Sequence, residues 1–215
     1  AIYDTITTAH KTGKRLFAVL IDPEKCVGKT LEQVIDTANK AQPNFIFVGG
    51  SQLQNSVDET VVHIKSLTTI PVVLFPGNAF QLTNKADALL LLSLISGRNA
   101  EWLIGQHVQA AKAIQQSALE TISTGYILID GGNTTAVERV SKTKPLQRDA
   151  IDEVVSTALA GQLLGHKLIY LEAGSGAQNP VPTSLIKAVK KAIDIPLIVG
   201  GGLTSTDTIK QAYEA

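Results

Sequence analysis

The stretch Leu168-Ile169-Tyr170-Leu171-Glu172-Ala173-Gly174-Ser175-Gly176 decides how this chain is read. Its first half is a short, continuous apolar run. A strand of a parallel sheet, covered on both faces, is written this way, whereas a strand with one wet face alternates. Its second half is too small and too flexible for a core. A carboxylate, Glu172, stands at the junction. An apolar strand that ends in an acid and then in Gly-x-Gly fits a strand whose carboxyl end opens onto a ligand, as barrel strands do.

Six more runs have the same character: residues 16–22, 45–50, 71–76, 88–94, 125–130 and 196–200. Amphipathic helical segments fall between most of them, at 30–41, 57–67, 100–116, 149–164 and 183–192. Strand followed by helix, repeated, predicts parallel βα units. A doubly wound sheet would place a glycine-rich phosphate loop early. Here the glycines follow strands two, five, six and seven, at Gly49-Gly50, Gly131-Gly132, Gly174/Gly176 and Gly200-Gly201-Gly202. Sites spread over many strand ends are the habit of a (βα)8 barrel. Strands three and four are joined by residues 77–87 only, too few for a full crossover helix, so the third helix is absent or a stub. No linker or composition shift divides residues 1–215, which predicts a single barrel domain. The chain stops inside a helical pattern, so the eighth strand is expected beyond Ala215.

The bulk composition narrows the function. Of 215 residues 44% are hydrophobic, and 19 Lys and Arg balance 19 Asp and Glu. That balance removes the basic footprint of a nucleic-acid binder. One cysteine, Cys26, excludes a disulfide framework and points to a reducing, cytoplasmic setting. No run is long and apolar enough to span a membrane. Residues 1–14 read as a polar helix rather than a signal peptide. Asn133-Thr134-Thr135 matches a glycosylation sequon, which without such a signal is expected to be coincidence.

At a strand mouth Glu172 is a candidate acid or base. The amides of residues 174–176 and the Ser175 hydroxyl suit an anion, with glycine letting the backbone come close. Residues 200–202 repeat the arrangement, and Thr204 or Ser205 would cap the next helix. Such glycines also make plain tight turns. Two such loops on consecutive late strands favour phosphate. Asp22, in Val19-Leu20-Ile21-Asp22-Pro23, either holds Mg²⁺ or caps a turn. Ser51 stands at the second mouth and could share that ion. Gly28-Lys29-Thr30 lacks the upstream glycine of a phosphate loop. His10, His63, His107 and His166 have no metal-ligand spacing.

Taken in order, LIDPEK, VGGS, LFPGN, GYILIDGG, YLEAGSGA and VGGGL resemble the geranylgeranylglyceryl phosphate synthase family with its PcrB relatives, and EAGSG resembles the second of its subgroups. The resemblance covers essentially the whole chain. It implies a modified (βα)8 TIM barrel with helix 3 replaced by a loop. It implies an Mg²⁺-dependent prenyltransferase joining sn-glycerol 1-phosphate to geranylgeranyl diphosphate in archaeal-type lipid synthesis. It implies Asp22 and Ser51 as metal residues, Glu172 as base, and Tyr170, Leu171, Glu172, Ala173, Gly174, Ser175, Gly176, Gly201 and Gly202 around glycerol phosphate. A dimer or hexamer of this chain is implied too, with transient membrane contact for product release. The alternatives are a longer prenyl donor, or a phosphate-binding barrel isomerase or synthase with no prenyl groove.

Overall fold

The computed structural model describes residues 1–50, 57–78 and 81–215. They form two compact units: Ala1–Leu91 with Gln106–Ile122, and Leu92–Gly105 with Ser123–Ala215. The strands are β1 (Ala18–Ile21), β2 (Phe45–Val48), β3 (Val72–Leu74), β4 (Ala88–Leu94), β5 (Glu120–Leu128), β6 (Leu168–Glu172) and β7 (Leu197–Gly200). Hydrogen-bonded neighbours follow chain order from β1 to β7. A doubly wound sheet would reverse that order at a switch point. Unbroken order with helices between is the topology of a (βα)8 barrel.

In the first unit, α1 (Ile2–Thr12) precedes β1, α2 (Gly28–Ala41) joins β1 to β2, and α3 (Val57–Leu67) follows β2. The helices present Leu31, Ile35 and Ala38, and Val57, Val61 and Ile64, at helical spacing. These pack with Ile21, Ile46, Val48, Val72 and Leu74 in one apolar cluster. All four β2 residues are buried, as their unbroken apolar run demands. The helix α1 is tied in from afar. Its first amides, Ile2 and Tyr3, donate to the two Glu120 carboxylate oxygens at 2.6 and 2.7 Å. A carboxylate there satisfies orphan donors and meets the positive helix end.

Among the described residues of 75–87 there is no helix. A side chain does part of the missing helix's structural work. Gln81 is buried, donates its amide N–H to the Gly50 carbonyl at 2.7 Å and accepts from the Gly77 amide at 2.9 Å. One fork thus pins the turns after β2 and β3 together, without leaving its own polar atoms unpaired.

In the second unit, β5 and β6 alternate between two faces. Ile127, Ile129, Ile169 and Leu171 pack with Val154 and Ala158 of α6 (Ile151–Leu163) and with Leu185, Ile186 and Val189 of α7 (Thr183–Ala192). Period-2 geometry then sends Tyr126, Leu128, Tyr170 and Glu172 to the opposite face. The register sets Tyr126 beside Tyr170 and Leu128 beside Glu172. The helix expected over residues 100–116 divides into a π-helical turn, Glu101–Gly105, and α4 (Gln106–Ser117), which belongs to the first unit. A short helix that the pattern did not announce, α5 (Ala136–Ser141), follows β5. After β7, Ser205 caps α8 (Thr206–Glu214) in a capping box with Thr208, as its position in the sequence predicts.

Candidate active site

The second unit gathers its chemistry at the carboxyl ends of β6 and β7. Glu172 is the last residue of β6 and is buried. One carboxylate oxygen accepts the Gly174 amide at 2.7 Å. The Tyr170 hydroxyl donates to the same carboxylate. Burial drives the carboxyl pKa up from 4.5 to about 7, against the opposing pull of the Gly174 and Tyr170 hydrogen bonds. Desolvation penalises the charged form more than two donors stabilise it. A carboxyl with such a pKa exchanges its proton near neutral pH, the property wanted of a general base.

Two buried phenols flank it. Tyr126 and Tyr170 stack with ring centroids 5.6 Å apart. Burial first, and the Glu172 charge second, push both phenols well above their ordinary range. Both therefore stay protonated, and Tyr170 keeps a hydrogen to offer the carboxylate. The sequence reading missed Tyr126. Its signal was parity: two residues before Leu128 on β5, it shares a face with the residues opposite Tyr170 and Glu172.

The glycines have specific reasons. A Cβ on Gly200 would overlap the Tyr170 hydroxyl. On Gly201, with φ +84°, it would sit 2.5 Å from both the Glu172 oxygen and the Gly174 nitrogen. The loops after β6 and β7 thus touch backbone to backbone, with Glu172 beneath them. A Cβ on Gly202 would lie 2.9 Å from the Pro180 nitrogen. The Gly174 carbonyl accepts from Ala177 at 3.1 Å, closing a tight turn. Ser175 and Gly176 on that turn are exposed. Tyr170, Glu172, Gly174, Gly201 and Gly202 are therefore brought together. Leu171 and Ala173 point the other way, into the apolar cluster with α6 and α7, and the Ala173 amide is taken by the Gly200 carbonyl at 3.0 Å.

Asp22 belongs to the first unit, one residue past β1. One carboxylate oxygen accepts the Glu24 amide at 3.0 Å, and its backbone carbonyl accepts from Lys25 and Cys26. The turn-capping role is thus real. The other oxygen faces the mostly exposed Lys25 ammonium at 3.4 Å, and the aspartate side chain is 28% exposed. A pair so exposed is weak, so that oxygen is available to a stronger cation. Ser51 lies outside the described residues. Among the described residues, no three His, Cys, Asp or Glu side chains form a metal cluster. Cys26 packs against the first-unit core, and burial together with Asp22 pushes its thiol pKa up, which disfavours the nucleophilic thiolate.

Parallel strands in chain order, a buried carboxyl at a strand's carboxyl end and glycine loops after β6 and β7 define an enzyme of the (βα)8-barrel class. Residues 10–215 match the model of the PcrB family. Over 215 residues the chain is 52% identical to geranylgeranylglyceryl phosphate synthase of Zunongwangia profunda and 48% identical to that of Flavobacterium johnsoniae, spanning 100% of this chain and 92% and 88% of theirs. The crystal structure of (S)-3-O-geranylgeranylglyceryl phosphate synthase from Thermoplasma acidophilum, in complex with sn-glycerol-1-phosphate, superposes with a TM-score of 0.93 at 33% identity. That match covers 99% of this chain and 85% of that one. The chain belongs to the PcrB family, the family of the geranylgeranylglyceryl phosphate synthases, and is an enzyme of the prenyltransferase class.

Proposed function

We propose that this chain joins sn-glycerol 1-phosphate to a prenyl diphosphate, of geranylgeranyl length, to form geranylgeranylglyceryl phosphate. The observation that carries this reading is Glu172: a buried carboxyl with a pKa near 7, held by Gly174 under two glycine loops. The relatives' names and the glycerol phosphate complex of the Thermoplasma enzyme support the substrates.

In this reading the exposed Ser175–Gly176 turn and the Gly201–Gly202 turn hold the phosphate. That grip fixes which hydroxyl reaches the carboxylate. Glu172 takes the proton of the 3-hydroxyl. The oxygen forms a bond to the allylic carbon of the donor, and the carbon–oxygen bond to diphosphate breaks, its electron pair leaving with diphosphate. Tyr170 keeps Glu172 oriented through its hydrogen bond. Both buried phenols stay neutral, so Tyr170 retains the proton that makes this hydrogen bond.

Asp22 fits Mg²⁺. The ion is commonly held by one or two carboxylates and completed by substrate phosphate oxygens, and among the described residues one Asp22 carboxylate oxygen faces an exposed lysine. Ser51 is proposed as its companion. A bound Mg²⁺ would neutralise the diphosphate and make it a better leaving group. Among the described residues no helix is long and apolar enough to cross a membrane. We read the enzyme as a cytoplasmic homo-oligomer that touches the membrane only to release product.

The test is mass spectrometry of the product formed from glycerol 1-phosphate and a mixture of prenyl diphosphates of three, four and seven isoprene units. A phosphorylated monoether carrying four units is expected; a seven-unit product would correct the donor, and no ether product would overturn the reading. Asp22→Asn should lower turnover at saturating Mg²⁺ at least a hundredfold and leave the circular dichroism unchanged. Near-normal turnover would remove Asp22 from the metal site.

A further inference from the structure

The tripeptide Asn133-Thr134-Thr135, which reads as a sequon, sits where the loop after β5 meets the loop after β6. The contact is continuous. A Cβ on Gly131 would collide with the Ala173 carbonyl and lie 2.7 Å from the Ala177 side chain, and one on Gly132 would lie 2.8 Å from the Asn179 amide. The Asn179 backbone N–H donates to the Gly131 carbonyl at 3.0 Å. The Asn133 side chain reaches the Gly176 carbonyl at 3.4 Å. Thr135, 5% exposed, closes the row: its methyl occupies the place that a side chain on Gly174 would take. Gly174, with φ +102°, is held in that conformation between this methyl and the Glu172 carboxylate that accepts its amide.

We infer that Thr135 is a positioning residue for the glycerol phosphate cradle, acting through its methyl group on Gly174. The inference rests on the proposed function. The same side chain has a separate structural duty, since its hydroxyl oxygen accepts the Glu138 amide at 3.1 Å and caps α5. The two duties sit on different atoms, so two near-isosteric variants separate them. Thr135→Ser keeps the capping oxygen and removes the methyl. Thr135→Val keeps the methyl and removes the oxygen.

Titration calorimetry with sn-glycerol 1-phosphate, thermal melts and steady-state kinetics are run on wild type and both variants. Thr135→Ser should bind glycerol phosphate three- to fivefold more weakly, the ratio that one methyl contact is worth. Its KM for the prenyl diphosphate should not move, and Tm should fall by less than for Thr135→Val. Thr135→Val should bind like wild type but melt about 2–4 °C lower for the lost cap. A purely structural Thr135 would weaken binding in step with Tm in both variants, or in neither. Wild-type affinity in Thr135→Ser, or equal loss in both, overturns the inference while leaving the function standing. A wild-type enzyme that does not bind glycerol 1-phosphate overturns both.

Discussion

Replacing Glu172 with glutamine should stabilise the folded chain above neutral pH while it removes the base. The carboxyl pKa rises from 4.5 to about 7 on burial. Below pH 4.5 the group is protonated folded and unfolded, and stability is at its highest as far as this residue is concerned. As pH rises from 4.5 to 7, the unfolded chain gives up the proton and the folded chain keeps it, so stability is progressively lost. Above 7 the penalty is constant. At about 1.4 kcal/mol per pH unit it totals about 3 kcal/mol, most of which falls between pH 5 and pH 8. Glutamine has nearly the same shape, keeps an oxygen for the Gly174 amide, and never ionises. Any fixed cost of its NH₂ group facing Tyr170 is the same at every pH and cancels in the comparison. Urea unfolding of wild type and Glu172→Gln at pH 5, 6.5 and 8 measures the quantity directly. The stability difference, variant minus wild type, should grow by about 2–3 kcal/mol from pH 5 to pH 8. A difference that stays flat would mean that Glu172 ionises in the folded state as it does in water, and the argument for it as a tuned base would fail. A gain in stability with a loss of turnover is the trade expected where a site holds a group in an unfavourable form.

Other outcomes follow from the same site and its supports. The wild-type kcat/KM for glycerol phosphate should climb tenfold per pH unit and level off near pH 7, as Glu172 loses its proton; a flat profile from pH 5.5 to 8 contradicts that base. Gly201→Ala puts a carbon 2.5 Å from the Glu172 oxygen and the Gly174 nitrogen at a left-handed φ. Calorimetry should find glycerol phosphate binding weakened more than tenfold, and unchanged affinity would show that the two loops do not hold it jointly. Glu120→Gln leaves one acceptor oxygen for two helix amides, costing about 1–3 kcal/mol. Faster hydrogen exchange in α1 and a lower Tm should report it, and an unchanged exchange pattern would count against the tether.

The sequence displayed β2, β3 and β6 most plainly because every residue in them is buried. β2 and β6 have no exposed position to break the apolar run, so their composition is their structure. Glu172 was visible because an acid at the end of such a run contradicts its surroundings. Ser205 was visible because capping is local chemistry. What stayed hidden depends on contacts between distant segments. Tyr126 looks like one more apolar strand residue until the register sets it against Tyr170, 44 positions away. The short α5 has too few residues to show a period. Thr135 reads as part of a chance sequon because the glycine it supports lies on the next βα unit.

The tether from Glu120 to α1 bears on how the chain is made. The amides of Ile2 and Tyr3 are made well before their acceptor, which follows 118 and 117 residues later. At about 5–20 residues per second, that delay is roughly 6 to 24 seconds. Throughout it α1 is an amphipathic segment without this anchor, and the loop it must eventually close is long. The docking of α1 through this carboxylate is therefore a late event of biosynthesis.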